Sequence, residues 1–342
     1  MSLLARNAEQ LFWLARYIER ATSLARIIET HSAHGRASSD DSSWAWLVAL
    51  YSNAEPFAKR HGEITARNVI QFYVSDVDNP ASIRFAVRAA RENARALRAI
   101  IPTDMWTQLN SFYHRLLTMR EVEFDVVGLA RTCSIMKVGC YAQLGVAEST
   151  LYRDEGERFF KLGSMIERAD QTSRLLDVKF AQLATAGEAG GTIADTTFWA
   201  LILRSAAAYQ AFRRHEPRGG DPARVAHFLL TNSSQPRSVA YCVNNIQSVL
   251  EDLRRLYGLR QARKALEMVH GLEGGLQTAA DDAQLVSRLH AVNDWLQQQL
   301  IELTSELSAT FFALEPPKPQ ETQTQAQNQS QTQTQTQTQS SA

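Results

Sequence analysis

An eighteen-residue pattern occurs twice in this chain, and the shared positions are charged as well as apolar. Leu11–Ile28 reads LFWLARYIERATSLARII, and Phe159–Leu176, 148 residues on, reads FFKLGSMIERADQTSRLL. Seven positions are identical: Phe12/Phe160, Leu14/Leu162, Ile18/Ile166, Glu19/Glu167, Arg20/Arg168, Ala21/Ala169 and Arg26/Arg174. Glu9 and Glu157, just upstream, match as well. Unrelated segments of this length share about one residue, so the pattern reads as internal repetition. Weaker matches continue downstream. Asn79-Pro80-x-Ser82-Ile83 resembles Gln235-Pro236-x-Ser238-Val239 at an offset of 156, and Phe57 faces Phe212 at 155. Val69, Phe72 and Val74 face Val225, Phe228 and Leu230. The expected organisation is two homologous halves, 1–150 and 151–315.

Both copies carry apolar residues stepping by three and four: Leu11, Leu14, Ile18, Ala21, Ala25 and Ile28, and again Phe159, Leu162, Ile166, Ala169, Ser173 and Leu176. That spacing is a helix-packing seam. Further helical segments are expected over Ser43–Arg60, Ile64–Val74, Ala81–Ile100, Asp104–Leu117, Asp125–Tyr152, Thr196–Arg214, Pro222–Leu230, Ser238–Tyr257, Gln261–Leu272 and Ala283–Leu314. Pro80, Pro102, Pro222 and Pro236 sit where helices start or have just ended. No segment alternates with period two. The sequence therefore predicts an all-α duplicated helical bundle, about six helices per half, packed about a pseudo-twofold axis. From Pro316 the composition changes to Gln/Thr alternation, which has almost nothing to bury. Residues 316–342 are expected to be a disordered tail.

The two repeat helices are apolar in every sector, so their charged residues are expected to be buried and paired. Glu19-Arg20 and Glu167-Arg168 are sequence neighbours, and each Arg projects about 100° from its Glu. Arg16 and Arg26 are local candidates for Glu19; in the second copy Ser164 replaces the first, leaving Arg174. Cross-helix pairs between the copies follow. Three readings of Glu9, Glu19, Arg20, Arg26, Glu157, Glu167, Arg168 and Arg174 stay open: ion pairs fixing register, arginines holding an anionic ligand, and a carboxylate-bridged metal using the four glutamates. None of these four glutamates stands in a Glu-x-x-His, which counts against the metal, and no cofactor is expected.

Acidic and basic residues balance at 36 each, which argues against nucleic acid as a partner. No apolar run is long enough to span a membrane, and the N-terminus lacks the pattern of a signal peptide. Cys133, Cys140 and Cys242 fit neither a disulfide framework nor a metal spacing and are expected to be reduced and buried in a cytoplasmic protein. His31 and His34 are expected at a solvated helix end. Gly-Leu-Glu-Gly-Gly at 271–275 follows a helix but lacks the Lys-Ser/Thr of a phosphate-binding loop. No nucleophile elbow is present.

The Ile-Glu-Arg-Ala context, carried by AEQLFWLARYIERA (Ala8–Ala21), ERFFKLGSMIERADQTSRLLD (Glu157–Asp177), NPASIRFAVRAARENARALR (Asn79–Arg98) and QPRSVAYCV (Gln235–Val243), resembles the alpha-E family. That family is an alpha-helical domain with a Glu-Arg motif, usually in tandem duplication. The resemblance implies an all-helical fold in a bacterial cytosol. It also implies the company of circularly permuted ATP-grasp carboxylate–amine ligases, transglutaminase-like proteins and peptidases, in a system that makes or attaches a peptide. The function so implied is a helical accessory protein acting with an ATP-grasp-type ligase and a transglutaminase-like protein. An enzyme using its Glu-Arg pairs for acid/base chemistry on a peptide or amide is the alternative, and a structural scaffold is the third.

Overall fold

The computed structural model describes residues 3–35, 44–119, 128–186, 193–217, 221–282 and 284–312, with the side chains of 34–35, 179–186 and 193–198 left aside. Among them there are fourteen α-helices and no strand, as the repeat spacing predicts. In chain order these are α1 Ala5–Gly35, α2 Ala45–Leu50, α3 Ala54–His61, α4 Ala66–Ile70, α5 Ile83–Ala96, α6 Thr103–Thr118 and α7 Leu129–Thr150. The second set is α8 Glu155–Ala186, α9 Ile193–Ser205, α10 Tyr209–His215, α11 Pro222–Thr231, α12 Val239–Leu256, α13 Arg263–Asp281 and α14 Leu285–Leu307. A π turn continues α4 over Gln71–Ser75, and another continues α14 over Ser308–Phe312. The tail expected to be disordered, 316–342, lies outside the described residues.

The packing of one set repeats that of the other. α1 packs on α5 and α7, as α8 packs on α12 and α14; α6 sits between α5 and α7, as α13 sits between α12 and α14. The two sets meet along α1 and α8. Each set has its own apolar core, and the repeated phenylalanines cross over. Phe12 of α1 lies in the core built from residues 159–312, and Phe160 of α8 lies in the core built from residues 11–151.

Local geometry repeats as well. The Thr65 hydroxyl accepts from the Asn68 amide at 3.2 Å and the Asp221 carboxylate from the Arg224 amide at 2.9 Å, capping α4 and α11. Ser82 and Ser238 cap α5 and α12 by accepting from the amides of Phe85 and Tyr241, at 3.0 and 3.1 Å. Phe57 meets Phe72 edge-on with centroids 5.3 Å apart, and Phe212 meets Phe228 at the same distance and the same 82° interplanar angle.

Two expected helices are broken, at equivalent places. Ser43–Arg60 divides into α2 and α3, and Thr196–Arg214 into α9 and α10. The cause is a left-handed residue in each: Ser52 at φ 52° and Ala207 at φ 53°. The amides of Ser52 and Asn53 turn back to Ala49 and Val48, and those of Ala207 and Ala208 to Arg204 and Leu203. This is the Schellman stop usually signalled by glycine, here made by Ser and Ala, so seven helices stand in each set instead of about six. In contrast, Gln261–Leu272 runs on to Asp281, straight through the 271–275 glycines. A Cβ on Gly275 would lie 2.1 Å from the Trp295 ring, so that glycine lets α14 lie against α13. His31 is not at a solvated end: it is half-buried, edge-on to Trp44 and Trp46 with centroids at 4.5 and 5.2 Å. The His34 side chain lies outside the described residues.

The α1–α8 crossing is close because Gly163 replaces the Ala15 of the first copy. A Cβ at Gly163 would fall 2.2 Å from the Phe12 carbonyl oxygen. Gly163→Ala must push two helices apart in the middle of the fold, at a cost of about 1–3 kcal/mol. Urea unfolding is expected to show that loss, and a midpoint equal to the parent's would contradict the close crossing.

Candidate functional site

Two carboxylates lie at the α1–α8 crossing, Glu19 and Glu167, both with no exposed surface. Arg16 and Arg20 are four apart, hence on one face of α1. Together they grip Glu167. Arg16 donates through Nε to Oε2 at 2.8 Å, and Arg20 donates through Nε to Oε1 at 2.6 Å and through Nη2 to Oε2 at 3.0 Å. Gln171, one turn on, adds a bond to Oε1 at 3.1 Å. Reciprocally, Arg168 of α8 donates to Glu19 Oε1 through Nε at 3.1 Å and also through Nη2. Thus each motif arginine holds the motif glutamate of the other copy.

The copies differ at Arg16/Ser164, and the structure makes good the loss. Ser164 reaches Glu19 Oε1 only at 3.4 Å. Arg237, in the turn before α12, takes the vacant role and donates to Glu19 Oε2 at 3.0 Å and to the Ser23 hydroxyl at 3.2 Å. Its backbone is fixed by Thr172, whose hydroxyl donates to the Arg237 carbonyl at 2.8 Å. The first copy has Ala81 where the second has Arg237. Each carboxylate therefore keeps two guanidinium partners, although they come from different places in the repeat.

The remaining motif residues lie around this pair or away from it. Arg26 does not reach Glu19 with a hydrogen bond; it donates to the Tyr141 hydroxyl at 2.6 Å and to the Ser205 carbonyl at 3.5 Å. Arg16 also bypasses Glu19, because the crossing helix brings Glu167 onto the Arg16–Arg20 face. Arg174 pairs with Asp170 at 2.9 Å. Glu157 pairs with Arg153 at 3.2 Å and Arg158 at 2.6 Å, ten residues along α8 from Glu167 and so about 15 Å away. Glu9 is half-buried and makes no ion pair among the described residues. The four glutamates thus do not converge, and among the described residues no group of three or more His, Cys, Asp or Glu could hold a metal.

Electrostatics follow from the geometry. Burial alone pushes the Glu19 carboxyl up, but Arg237 and then Arg168 overcome it and bring it from an ordinary 4.5 down to about 2. Glu167 is likewise raised by burial and lowered further by Arg20 and Arg16, ending well below the carboxylate range. Burial pulls Arg237 down to about 10, because Glu19 offsets only part of it and Arg26 and Arg168 add repulsion. Burial pushes the Cys140 and Cys242 thiols up to about 12, so neither is a ready nucleophile. Six guanidiniums (Arg16, Arg20, Arg26, Arg168, Arg174 and Arg237) surround three carboxylates (Glu19, Glu167 and Asp170). The cluster is rich in positive charge.

A duplicated all-α fold with a reciprocal Glu/Arg lock defines the class. The Alpha-E family, a predicted alpha-helical domain with a conserved ER motif, matches residues 3–312, and the chain belongs to it. It is similar to uncharacterized proteins of Mycobacterium bovis, 24% identical over 269 residues, and of Mycobacterium tuberculosis, 24% and 23% identical over the same length. That stretch is 72% of this chain but 30% of each relative, so the chain spans well under half of their length. No solved structure matches it.

Sequence reasoning missed Arg237, Gln171 and Tyr141. For Arg237 a signal existed: where the second copy loses the arginine of position 16, it gains one opposite Ala81. Removing Glu19 would leave Arg168 and Arg237 without their anion, so Glu19→Ala should cost about 3–5 kcal/mol at neutral pH. The depressed pKa of Glu19 means its stabilisation is complete above about 4.5 and is lost as the pH falls toward 2. Acid titration of the parent should show that loss and Glu19→Ala a flatter one; equal melting of both proteins would show the carboxylate contributes nothing.

Proposed function

We propose that this chain is a helical binding protein, without catalysis of its own, in a peptide-synthesis or peptide-modification system. It acts in the cytoplasm beside an ATP-grasp-type carboxylate–amine ligase, with a transglutaminase-like protein as a second partner. Residues 1–150 and 151–315 are two alpha-E-type repeats joined through α1 and α8, and the tail carries no part of the function.

One observation carries the reading: both motif carboxylates have their oxygens engaged by two guanidiniums each. A general base needs a pKa near the working pH and a free lone pair. Glu19, held at about 2 by its arginines, is poorly matched to that role, which counts against the acid/base alternative. The arginine excess instead suits the recognition of an anion. The ligase setting is what the alpha-E resemblance implies, and the chain's membership of that family is its basis. The relatives support it in another way, because in them the matched stretch belongs to a much longer polypeptide. A helical segment that works beside other domains fits that arrangement.

The test is to mix the purified chain with an ATP-grasp-type carboxylate–amine ligase from the same organism and to follow complex formation by gel filtration and the ligase product by mass spectrometry. A complex, or a changed product, is expected, and removal of residues 315–342 should leave it unchanged. The reading is overturned if the isolated chain, without ligase or ATP, turns over a peptide or amide and Glu19→Gln abolishes that turnover.

A further inference from the structure

The Glu/Arg lock has one side open to a cleft. It is about 550 Å³ in volume and lies between α7, α8 and the start of α12. Such a volume is within the range of small-ligand sites. Ser164 and Arg168 of the lock form part of its wall, and Arg158, Lys161, Met165 and Tyr241 line the rest near them.

The same place in the other half is filled. By the repeat, Lys161 corresponds to Trp13, Met165 to Tyr17, and Tyr241 to Phe85. There the Trp13 and Tyr17 rings lie 5.7 Å apart, Tyr17 meets Phe85 at 6.3 Å, and the Arg16 guanidinium stacks over Trp13 at 4.9 Å. Stacked aromatic rings stand in one half where a lysine and a methionine stand in the other. The two copies thus differ at one surface, and the difference replaces aromatic packing by a cation.

Charge in the cleft is unbalanced at a single place. Arg153 is paired with Glu148 and Glu157, Arg158 with Glu157 and Asp252, and Arg168 with Glu19. Lys161 is half-buried and has no acidic partner among the described residues. An anionic group in the cleft would supply that partner. Arg168 also lines the cleft, two turns farther along α8, with the arginine-rich cluster behind it. One uncompensated positive charge matches one carboxylate better than a phosphate dianion. Apolar surface from Leu144, Leu151 and Met165 would accommodate the body of the molecule that bears it.

We infer that this cleft binds the carboxylate of a short acidic peptide, with Lys161 as its direct counter-ion. The inference rests on the binding-protein reading above and gives it a ligand class. Tyr241, half-buried on the opposite wall, offers a phenol to the peptide backbone.

The test uses the full chain, with C-terminally amidated acetyl-triglutamate as the probe and C-terminally amidated acetyl-triglutamine as its neutral counterpart, by calorimetry at low salt. Acetyl-triglutamate should bind, more weakly as salt is raised, and acetyl-triglutamine should not. Lys161→Met keeps the aliphatic stem and should weaken binding by about tenfold or more, because a hydrogen bond to a charged group is lost; Lys161→Arg should restore it. Neither variant touches the core, and equal melting temperatures would confirm that folding is intact. The inference fails if acetyl-triglutamate does not bind at millimolar concentration, if Lys161→Met binds it as the parent does, or if inorganic phosphate binds more tightly. Gel filtration with the ligase is run on the same proteins. A complex without peptide binding sinks the cleft and spares the accessory reading, whereas peptide binding without a complex does the reverse.

Discussion

The structure depends on a reciprocal exchange of charge at the α1–α8 crossing. Glu19 of α1 is held by Arg168 of α8, and Glu167 of α8 by Arg20 of α1. Buried ions of this kind contribute little net stability, because desolvation offsets much of their attraction. Their effect is on register. A slide of one helix along the other by a single turn, about 5.4 Å, would strand two carboxylates in the protein interior. The apolar seam has no such discrimination, since Leu14, Ile18, Leu162 and Ile166 could repack one turn away at smaller cost. Register then fixes the rest: Phe12 crosses into one core, Phe160 into the other, and the Phe12 carbonyl lies against Gly163.

The sequence shows the all-α class and the pairing of the copies because both are written in periodicity and identity. The burial of Glu19 and Glu167 could be read from a helix with apolar residues all round. The breaks at Ser52 and Ala207 could not, because a left-handed stop made without glycine looks like continuous helix, and the same misreading therefore recurs in both halves. The continuation of α13 through Gly274 and Gly275 was hidden for the opposite reason: Gly275 answers to the bulk of Trp295, twenty residues away. Arg237 was missed because its role is tertiary. Only the paired asymmetry, Arg16 to Ser164 and Ala81 to Arg237, marks it.

That asymmetry distinguishes the two halves of the duplicated fold. Two identical halves would bury two identical locks and present two identical surfaces. Here the second carboxylate clamp is rebuilt from the turn before α12, which frees the α8 face around Ser164. The same face has exchanged Trp13 and Tyr17 for Lys161 and Met165. The lock keeps the two halves in register, and the divergence beside it opens a charged cleft. The two motif carboxylates are clamped, and the thiols of Cys140 and Cys242 are held up at about 12.

The reciprocal exchange is most directly tested by a double-mutant cycle on Arg20→Met and Glu167→Gln, read by urea unfolding at neutral pH. If the two side chains hold the crossing together, the double variant should be more stable than the sum of the single losses predicts, with a coupling energy of about 1–3 kcal/mol. A coupling energy indistinguishable from zero, with both single variants still destabilised, would show that the arginine and the glutamate act independently and that the register of α1 on α8 is set by something else.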